Sequence, residues 1–326
     1  MKVLVTGASG FFGSHVAEQF FAAGHSVRLL LRTTSRREFL TFPYQEAVGD
    51  VTDASTLTAA VTGIDAIVHA AGLIKARHEA EFAAVNEQGT ANLVRAAEEQ
   101  APGLKRFVYI SSLAAHGPSA NGAPRPVDAE PAPVSAYGRT KMAGEDITRI
   151  SKLADRSVIF RMPVIYGPRD PALLPFFRAV KMRVAPLLSG GNKRISIVYA
   201  HDAARAVVEA VTAEANVGDR IYAPEDGAVY TWRDLLAAVE GAAGRKAVLL
   251  PVPKFGYQAG ALATQAFGRA INRPMVFTLD KVREMAQEAW VCSAEDLRRD
   301  LGWNAAVQIE EGARLTYDWY REHGWL

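Results

Sequence analysis

Short runs of Val, Ile, Leu and Phe recur along the first 160 residues, separated by stretches with helical spacing. The runs are Val3–Val5, Val27–Leu31, Ala66–Val68, Phe107–Ile110 and Val158–Phe160. They show no polar alternation, as expected of strands buried on both faces of a parallel sheet. Between them the clearest helical pattern is Glu81–Gln100, where Phe82, Val85, Gly89, Leu93 and Ala96 share a face. Strands alternating with helices predict an α/β fold, a doubly wound parallel sheet with right-handed crossovers. Such sheets bind ligands outside the carboxyl ends of their strands.

The rhythm changes after Pro163. Tyr166–Pro175 is too rich in Pro and Gly for a regular element. Ile195–Tyr199 reads as one more strand, and Asp202–Val211 as a helix returning to the first unit. Thr231–Glu240, Leu279–Glu288, Ala294–Leu301 and Glu310–His323 have helical spacing. The expected organisation is a dinucleotide-binding domain over residues 1–165, joined by about 195–222. A smaller mixed substrate-binding domain is expected from residues 166–194 and 223–326. No internal repeat or low-complexity segment interrupts it.

Composition narrows the function classes. Of 326 residues, 49% are hydrophobic and 22% charged, which excludes a disordered chain. Lys and Arg number 37 against 35 Asp and Glu, so no excess of cation favours a nucleic-acid partner. The single cysteine, Cys292, cannot form an internal disulfide, and the seven scattered histidines predict no metal site. The chain opens directly on a strand, Met1-Lys2-Val3-Leu4-Val5, without the charged region or cleavage site of a secretory signal. A cytoplasmic protein without a transmembrane segment is expected. The most apolar stretch, Phe255–Phe267, reads as an amphipathic surface helix, with a substrate lid or a membrane-surface contact as sharper readings.

The run Thr6-Gly7-Ala8-Ser9-Gly10-Phe11-Phe12-Gly13 lies between the first strand and a helix expected from near Ser14. Gly7 would allow a tight turn, Gly10 the approach of a pyrophosphate, and Gly13 close packing of helix on strand. Helix N–H groups would complete a phosphate cradle, with Ser9, Phe11 and Phe12 among its contacts. A dinucleotide is thereby implied, and the fold becomes Rossmann-type. At the end of the second strand, Leu31-Arg32 stands where an acidic residue would hold the ribose of NAD(H), with Arg36 and Arg37 close behind. A guanidinium there suits a 2′-phosphate, so NADP(H) is expected, with NAD(H) as the alternative. Asp50 is a candidate acceptor for the adenine amino group and Val51 for packing on the ring. Ala70, Ala71 and Gly72 leave room for the cofactor, and His69 reads as a satisfied strand-end histidine rather than a catalyst.

The fifth strand ends in Ser111-Ser112, and 25 residues later comes Tyr137-Gly138-Arg139-Thr140-Lys141. Tyr137 and Lys141, four apart, project from one helix face. The ammonium is expected to lower the phenol's pKa from near 10, making Tyr137 a proton carrier, with Ser112 bonded to the same substrate oxygen.

Together with Asn86-x-x-Gly89-Thr90, Tyr166-Gly167-Pro168 and His201-Asp202-x-Ala204, these motifs make the chain resemble an extended short-chain dehydrogenase/reductase over nearly its whole length. That family includes nucleotide-sugar epimerases and dehydratases, hydroxysteroid dehydrogenases and dihydroflavonol-type reductases. The resemblance implies Tyr137 as general acid/base, Ser112 as its partner and Lys141 on the nicotinamide ribose. It places Pro163 and Ile165 beside the nicotinamide and Asn86 as a brace, and it implies a homodimer through the helices of Glu81–Gln100 and Tyr137–Ser151. Members acting on nucleotide sugars typically carry an Asn after the sixth strand and an Arg before the late strand. Here Arg161-Met162-Pro163-Val164-Ile165 is aliphatic at the first place and Ile195 fills the second, with Arg194 adjacent. Each missing charged contact to a diphosphate costs about 1.5–3 kcal/mol.

The sequence therefore resembles the dihydroflavonol-reductase and 3-beta-hydroxysteroid-dehydrogenase-like branch. The expected function is an NADPH-dependent ketoreductase for a small hydrophobic carbonyl substrate. The alternatives are a nucleotide-sugar epimerase/dehydratase with retained NAD(P), or a non-catalytic dinucleotide sensor. Leu249–Val252, Phe255, Tyr257, Phe267, Met275 and Phe277 are candidate pocket or lid residues, with Met162 and His116 as weaker candidates at the substrate.

Overall fold

In the computed structural model, which describes residues 1–215 and 217–326, the apolar runs assemble into one parallel sheet. Its strands are β1 (Lys2–Thr6), β2 (Ser26–Leu31), β3 (Gln45–Val48), β4 (Ala66–His69), β5 (Arg106–Ser112), β6 (Ser157–Met162) and β7 (Arg220–Tyr222). Their spatial order is β7-β6-β5-β4-β1-β2-β3, so the direction of winding reverses at β1. The crevice at that reversal is where such sheets take their ligands.

Alternate residues of each strand feed two separate cores, which is why the runs are apolar at every position. Val3, Val5, Leu29, Val68, Val108 and Phe160 face one side, where α1 (Phe11–Ala22) and a late helix cover them. Leu4, Leu30, Ile67, Phe107, Tyr109 and Ile159 face the other, under α2 (Leu57–Val61), α3 (Gly89–Gln100) and α4 (Ala136–Arg149). The late helix, α5 (Ala200–Thr212), lies beside α1. Each fully buried Leu or Phe contributes about 1.5–3 kcal/mol of transfer free energy.

A third core, built from Phe177, Leu187, Ile197, Leu235, Ile309 and Tyr320, organises the C-terminal part. Asp202 at the start of α5 joins it to the sheet. Its carboxylate accepts the amides of Ala306 (2.9 Å) and Val307 (2.8 Å), and its carbonyl accepts the Trp303 indole at 3.3 Å. One buried acid therefore holds the returning chain against the first unit.

Several elements differ from the sequence reading. Helix α1 starts at Phe11 rather than near Ser14, because Gly10 already adopts an extended N-cap conformation. The pattern over Glu81–Gln100 is an α-turn at Glu79–Phe82, a π-helical turn at Ala83–Gln88 and then α3. Ile195–Tyr199 divides at Ser196. Arg194–Ile195 pairs with Tyr230–Thr231 and Ala289–Trp290, whereas Ile197–Tyr199 pairs with Val164–Tyr166. The seventh strand of the main sheet is instead β7, too short to announce itself by periodicity.

His69 closes β4 as a fully satisfied buried group. Thr6 Oγ1 lies 2.8 Å from its Nδ1 and Thr90 Oγ1 lies 3.0 Å from its Nε2. Thr6 Oγ1 also accepts the Ala71 amide at 3.1 Å, and Thr90 Oγ1 donates to the Asn86 carbonyl at 2.7 Å. With the Thr90 hydroxyl donating to Asn86, Thr90 Oγ1 accepts the Nε2 proton, and the Thr6 hydroxyl is free to donate to Nδ1 of a neutral ring. Burial, reinforced by the Lys141 charge, pushes its pKa from 6.5 down to about 3. The folded value lies below the unfolded one, so this stabilisation is complete above pH 6.5 and is lost as pH falls toward 3. Between pH 7 and pH 5 the wild type is expected to lose on the order of 2 kcal/mol relative to His69→Gln. Urea unfolding of both proteins at the two pH values measures this. A stability difference between them that does not change with pH would refute the neutral histidine.

Candidate active site

The turn after β1 requires glycine by geometry. Gly7 has φ +74°, and a Cβ there would stand 2.6 Å from the Ala71 nitrogen. A Cβ on Gly13 would run into the Gly7 carbonyl. At Gly10 the only neighbour of an added Cβ is Gly7 O at 3.3 Å, so this face of the turn opens to a ligand. Helix α1 starts there with no side-chain cap and no acidic residue in its first turn. Its N-terminus therefore keeps its capacity for an anion. Gly7 and Gly13 shape this turn, Ser9, Phe11 and Phe12 lie along it, and its open face at Gly10 has room for a dinucleotide pyrophosphate. Phe11 is also fixed edge-on against His15, ring centroids 5.6 Å apart.

At the adenosine end, the Arg32 side chain is 64% exposed and lies 3.9 Å from Asp50 Oδ2. Arg36 is exposed as well, but Arg37 is committed to Glu46 through contacts of 3.3 and 2.6 Å. Asp50 Oδ1 is occupied by the amide and hydroxyl of Thr52, both at 2.9 Å, leaving Oδ2 toward Arg32. Val51, expected on the adenine ring, is buried in the second core beside Gly89, and its carbonyl accepts the Asn92 amide at 3.0 Å. Opposite the turn, Ala70 and Ala71 are half-buried and Gly72 is exposed.

Asn86 braces this edge. Its side chain exchanges hydrogen bonds with Leu73, accepting from the amide at 2.8 Å and donating to the carbonyl at 3.1 Å. It also donates to Thr140 Oγ1 at 3.2 Å, tying the π-helical turn to α4.

Helix α4 brings Tyr137 and Lys141 to the end of β5, where Ser112 caps the short helix Leu113–His116. The Ser112 hydroxyl accepts the Ala114 amide at 3.2 Å and acts to lower the pKa of the half-buried Tyr137 phenol, whose ring lies 6.1 Å from that of Phe82. Lys141 Nζ donates to the Ile110 carbonyl at 2.5 Å and stands 4.2 Å from the Tyr109 ring centroid. A Cβ on Gly72 would be 3.7 Å from that Nζ, which puts the ammonium beside the glycine edge.

The electrostatics correct the expected shift. Burial pushes Tyr137 up to about 12; the Ser112 bond opposes this and the Glu284 charge adds to it. Lys141 is itself driven down to about 7 by burial, with Glu145 acting in the opposite sense. It is turned toward Ile110 and Tyr109, so it does not offset the desolvation of the phenol.

Two groups beneath the site carried no motif signal. Glu145, on the same face of α4 one turn beyond Lys141, forms a fully buried ion pair with Arg161 of β6 at 2.9 Å. Ser111 Oγ donates to the same carboxylate at 2.5 Å, and Arg161 Nη1 donates to the Val127 carbonyl at 2.9 Å. The i, i+4, i+8 spacing from Tyr137 was the available clue. The second group comes from helix Leu279–Ala286, whose carboxylates meet the N-terminus of α4. Asp280 accepts the Ala136 amide at 2.7 Å and Glu284 accepts the Ser135 hydroxyl at 2.5 Å.

Other candidates fall elsewhere. Met162 is buried in the first core, and His116 is buried with its ring against the Ala129 carbonyl at 3.2 Å, beside a cleft that Arg161 and Cys292 also line. Pro163 and Ile165 are half-buried just beyond β6. Phe255 and Phe267 point outward, whereas Tyr257 packs edge-on against Phe277 at 5.6 Å. Among the described residues no cluster of His, Cys, Asp and Glu could hold a metal, and no helix is long and apolar enough to cross a membrane.

Residues 3–223 match the NAD dependent epimerase/dehydratase family. A ceramide reductase of Caulobacter vibrioides is 33% identical over 329 residues, covering 99% of this chain and 96% of that protein. A 2-alkyl-3-oxoalkanoate reductase of Stenotrophomonas maltophilia is 29% identical, covering 96% of this chain and 98% of its own length. Among solved structures, the UDP-glucose 4-epimerase of Thermus thermophilus in complex with NAD superposes with a TM-score of 0.78. It is 26% identical and covers 98% of this chain and 99% of its own. The chain thus belongs to the NAD-dependent epimerase/dehydratase family and is an NAD(P)-dependent oxidoreductase of the extended short-chain dehydrogenase/reductase type.

Proposed function

We propose that this protein is an NADPH-dependent ketoreductase for a hydrophobic carbonyl substrate, working with Ser112, Tyr137 and Lys141. The observation that carries the reading is the aliphatic wall beyond β6. Val164 and Ile165 are half-buried there, and Ile195 is fully buried. The Arg194 side chain lies against Gly122. The aliphatic positions offer a diphosphate no donor, whereas the half-buried Val164 and Ile165 would help to desolvate an apolar chain. Two relatives are named as reductases, and one of them acts on a 3-oxoalkanoate by its name, which agrees with this reading.

A bound nicotinamide would supply the hydride to the carbonyl carbon. Tyr137 gives its phenolic proton to the carbonyl oxygen, and Ser112 donates a hydrogen bond to that oxygen as charge develops on it. A phenol held up at about 12 stays protonated at neutral pH, the form that reduction needs. Lys141 would meet the nicotinamide ribose, and Arg32 with Arg36 the adenosine 2′-phosphate. The C-terminal part would close over the substrate.

The epimerase reading rests on the superposition with the UDP-glucose 4-epimerase. It predicts NAD that resists stripping and thermal stabilisation by UDP-sugars. Both absent, with turnover on a ketone panel, favours the reductase.

Two measurements test the proposal. Tyr137→Phe is expected to lower kcat by at least a thousandfold while changing NADPH affinity less than threefold, since general acid catalysis is worth about 10²–10⁴. Turnover within tenfold of wild type would overturn the assignment. Nicotinamide fluorescence on stripped protein should show NADPH bound at least tenfold more tightly than NADH, about 1.4 kcal/mol. Arg32→Glu should abolish that preference. An unaltered preference in the variant would remove Arg32 from the 2′-phosphate.

A further inference from the structure

The helix Lys254–Ala270 is amphipathic in the wrong direction for a surface helix. Its outward side carries Phe255, Leu262 and Phe267, exposed by 73, 55 and 58%, together with Ala259, Ala266 and Ala270. Its inward side carries the small and polar residues instead. Thr264 donates to the Phe277 carbonyl, and Tyr257 donates to the Pro186 carbonyl at 3.0 Å. A Cβ on Gly260 would sit 3.2 Å from the Phe277 ring, and one on Gly268 would strike Met275. A helix facing only water would reverse this arrangement.

The apolar surface continues onto the parallel ribbon that precedes the helix. Strands Val184–Leu188 and Val248–Val252 pair with Val248 beside Val184 and Leu250 beside Pro186. These four residues are all exposed, while Ala185 and Leu187 turn into the third core. Charge is as one-sided as hydrophobicity. Residues 241–279 hold five Lys and Arg and no Asp or Glu, and residues 171–201 likewise hold five and none. Lys181, Arg183, Lys254, Arg269 and Arg273 form no ion pair among the described residues. Contiguous exposed apolar surface rimmed by polar residues marks interaction sites.

We infer that the outward face of helix Lys254–Ala270 and the adjoining ribbon docks on the surface of an anionic lipid bilayer. The phenylalanines and Leu262 enter the acyl boundary and the flanking cations meet the headgroup phosphates. The absence of acidic residues is what selects a bilayer over a second copy of this chain, since two copies would bring two cationic faces together. Each cation near the surface adds about fivefold to binding at low salt. Among the described residues no helix is long and apolar enough to cross a membrane, and the inferred association is a peripheral one. The inference stands on this surface alone and does not depend on the ketoreductase reading.

Co-sedimentation of the full-length protein with vesicles tests it, comparing phosphatidylcholine alone with phosphatidylcholine mixed with phosphatidylglycerol. Partition is expected to be at least tenfold stronger on the mixed vesicles and to weaken as salt is raised. The triple variant Phe255→Ser, Leu262→Ser, Phe267→Ser should lose at least tenfold of that partition. Lys254→Gln with Arg269→Gln and Arg273→Gln should abolish the preference for the anionic lipid. Thermal unfolding and NADPH titration of both variants show that fold and cofactor site persist. No partition of the wild type, or partition unaffected by either variant, overturns the inference. A dimer that the serine variant converts to monomer, in a protein that does not bind vesicles, also overturns it and makes this face a subunit contact.

Discussion

The active-site geometry depends on one buried ion pair, Glu145 with Arg161. Both side chains are only 3% exposed, one on α4 and the other on β6. Their hydrogen bonds to Ser111 and to the Val127 carbonyl satisfy the remaining polar capacity. Taking such a pair from water is costly, and removing one member alone would strand a buried charge, typically at about 3–5 kcal/mol. The pair sets the rotation of α4 about its own axis. Tyr137 and Lys141 occupy the same face at i−8 and i−4 from Glu145, so fixing Glu145 against the sheet aims both at the end of β5.

The C-terminal part completes this clamp from the opposite end. Asp280 and Glu284 meet the first turn of α4, where carboxylates also favour the positive end of the helix dipole. Asp202 and Glu225 hold the chain segments that bring those residues into place; Glu225 accepts the Ala294 amide at 2.9 Å. Helix α4 is thus fixed by carboxylates from parts of the chain more than a hundred residues apart. The same crowding explains the opposed shifts of Tyr137 and Lys141. Desolvation favours the neutral form of each, so the phenol rises and the ammonium falls.

The sheet, the glycine turn and the positions of Ser112, Tyr137 and Lys141 were legible in the sequence because each rests on local rules. An apolar run without alternation specifies a strand covered on both sides. Gly7 is demanded by its positive φ, and Gly13 by backbone crowding against Gly7 six residues earlier. Tyr137 and Lys141 share a face through helical period alone. The ends of elements were less legible. Gly10 rather than Ser14 starts α1, and the π-helical turn at Ala83–Gln88 depends on the bonds that Asn86 makes to Leu73 and Thr140. β7 exists only because β6 offers it an edge.

What the sequence determined by itself is therefore the class of fold, the glycine turn and the shared helix face of Tyr137 and Lys141, since short-range sterics and periodicity encode them. Tertiary structure alone decided the protonation tendencies of Tyr137 and Lys141, the burial of His116, Met162 and Val51, and the partners of Glu145, Asp280 and Glu284. It also decided that the apolar side of Lys254–Ala270 faces outward, because a helical pattern defines a face but not the direction in which it is turned. These properties depend on burial and on contacts between residues distant in the chain, and desolvation arises only once the fold has brought them together.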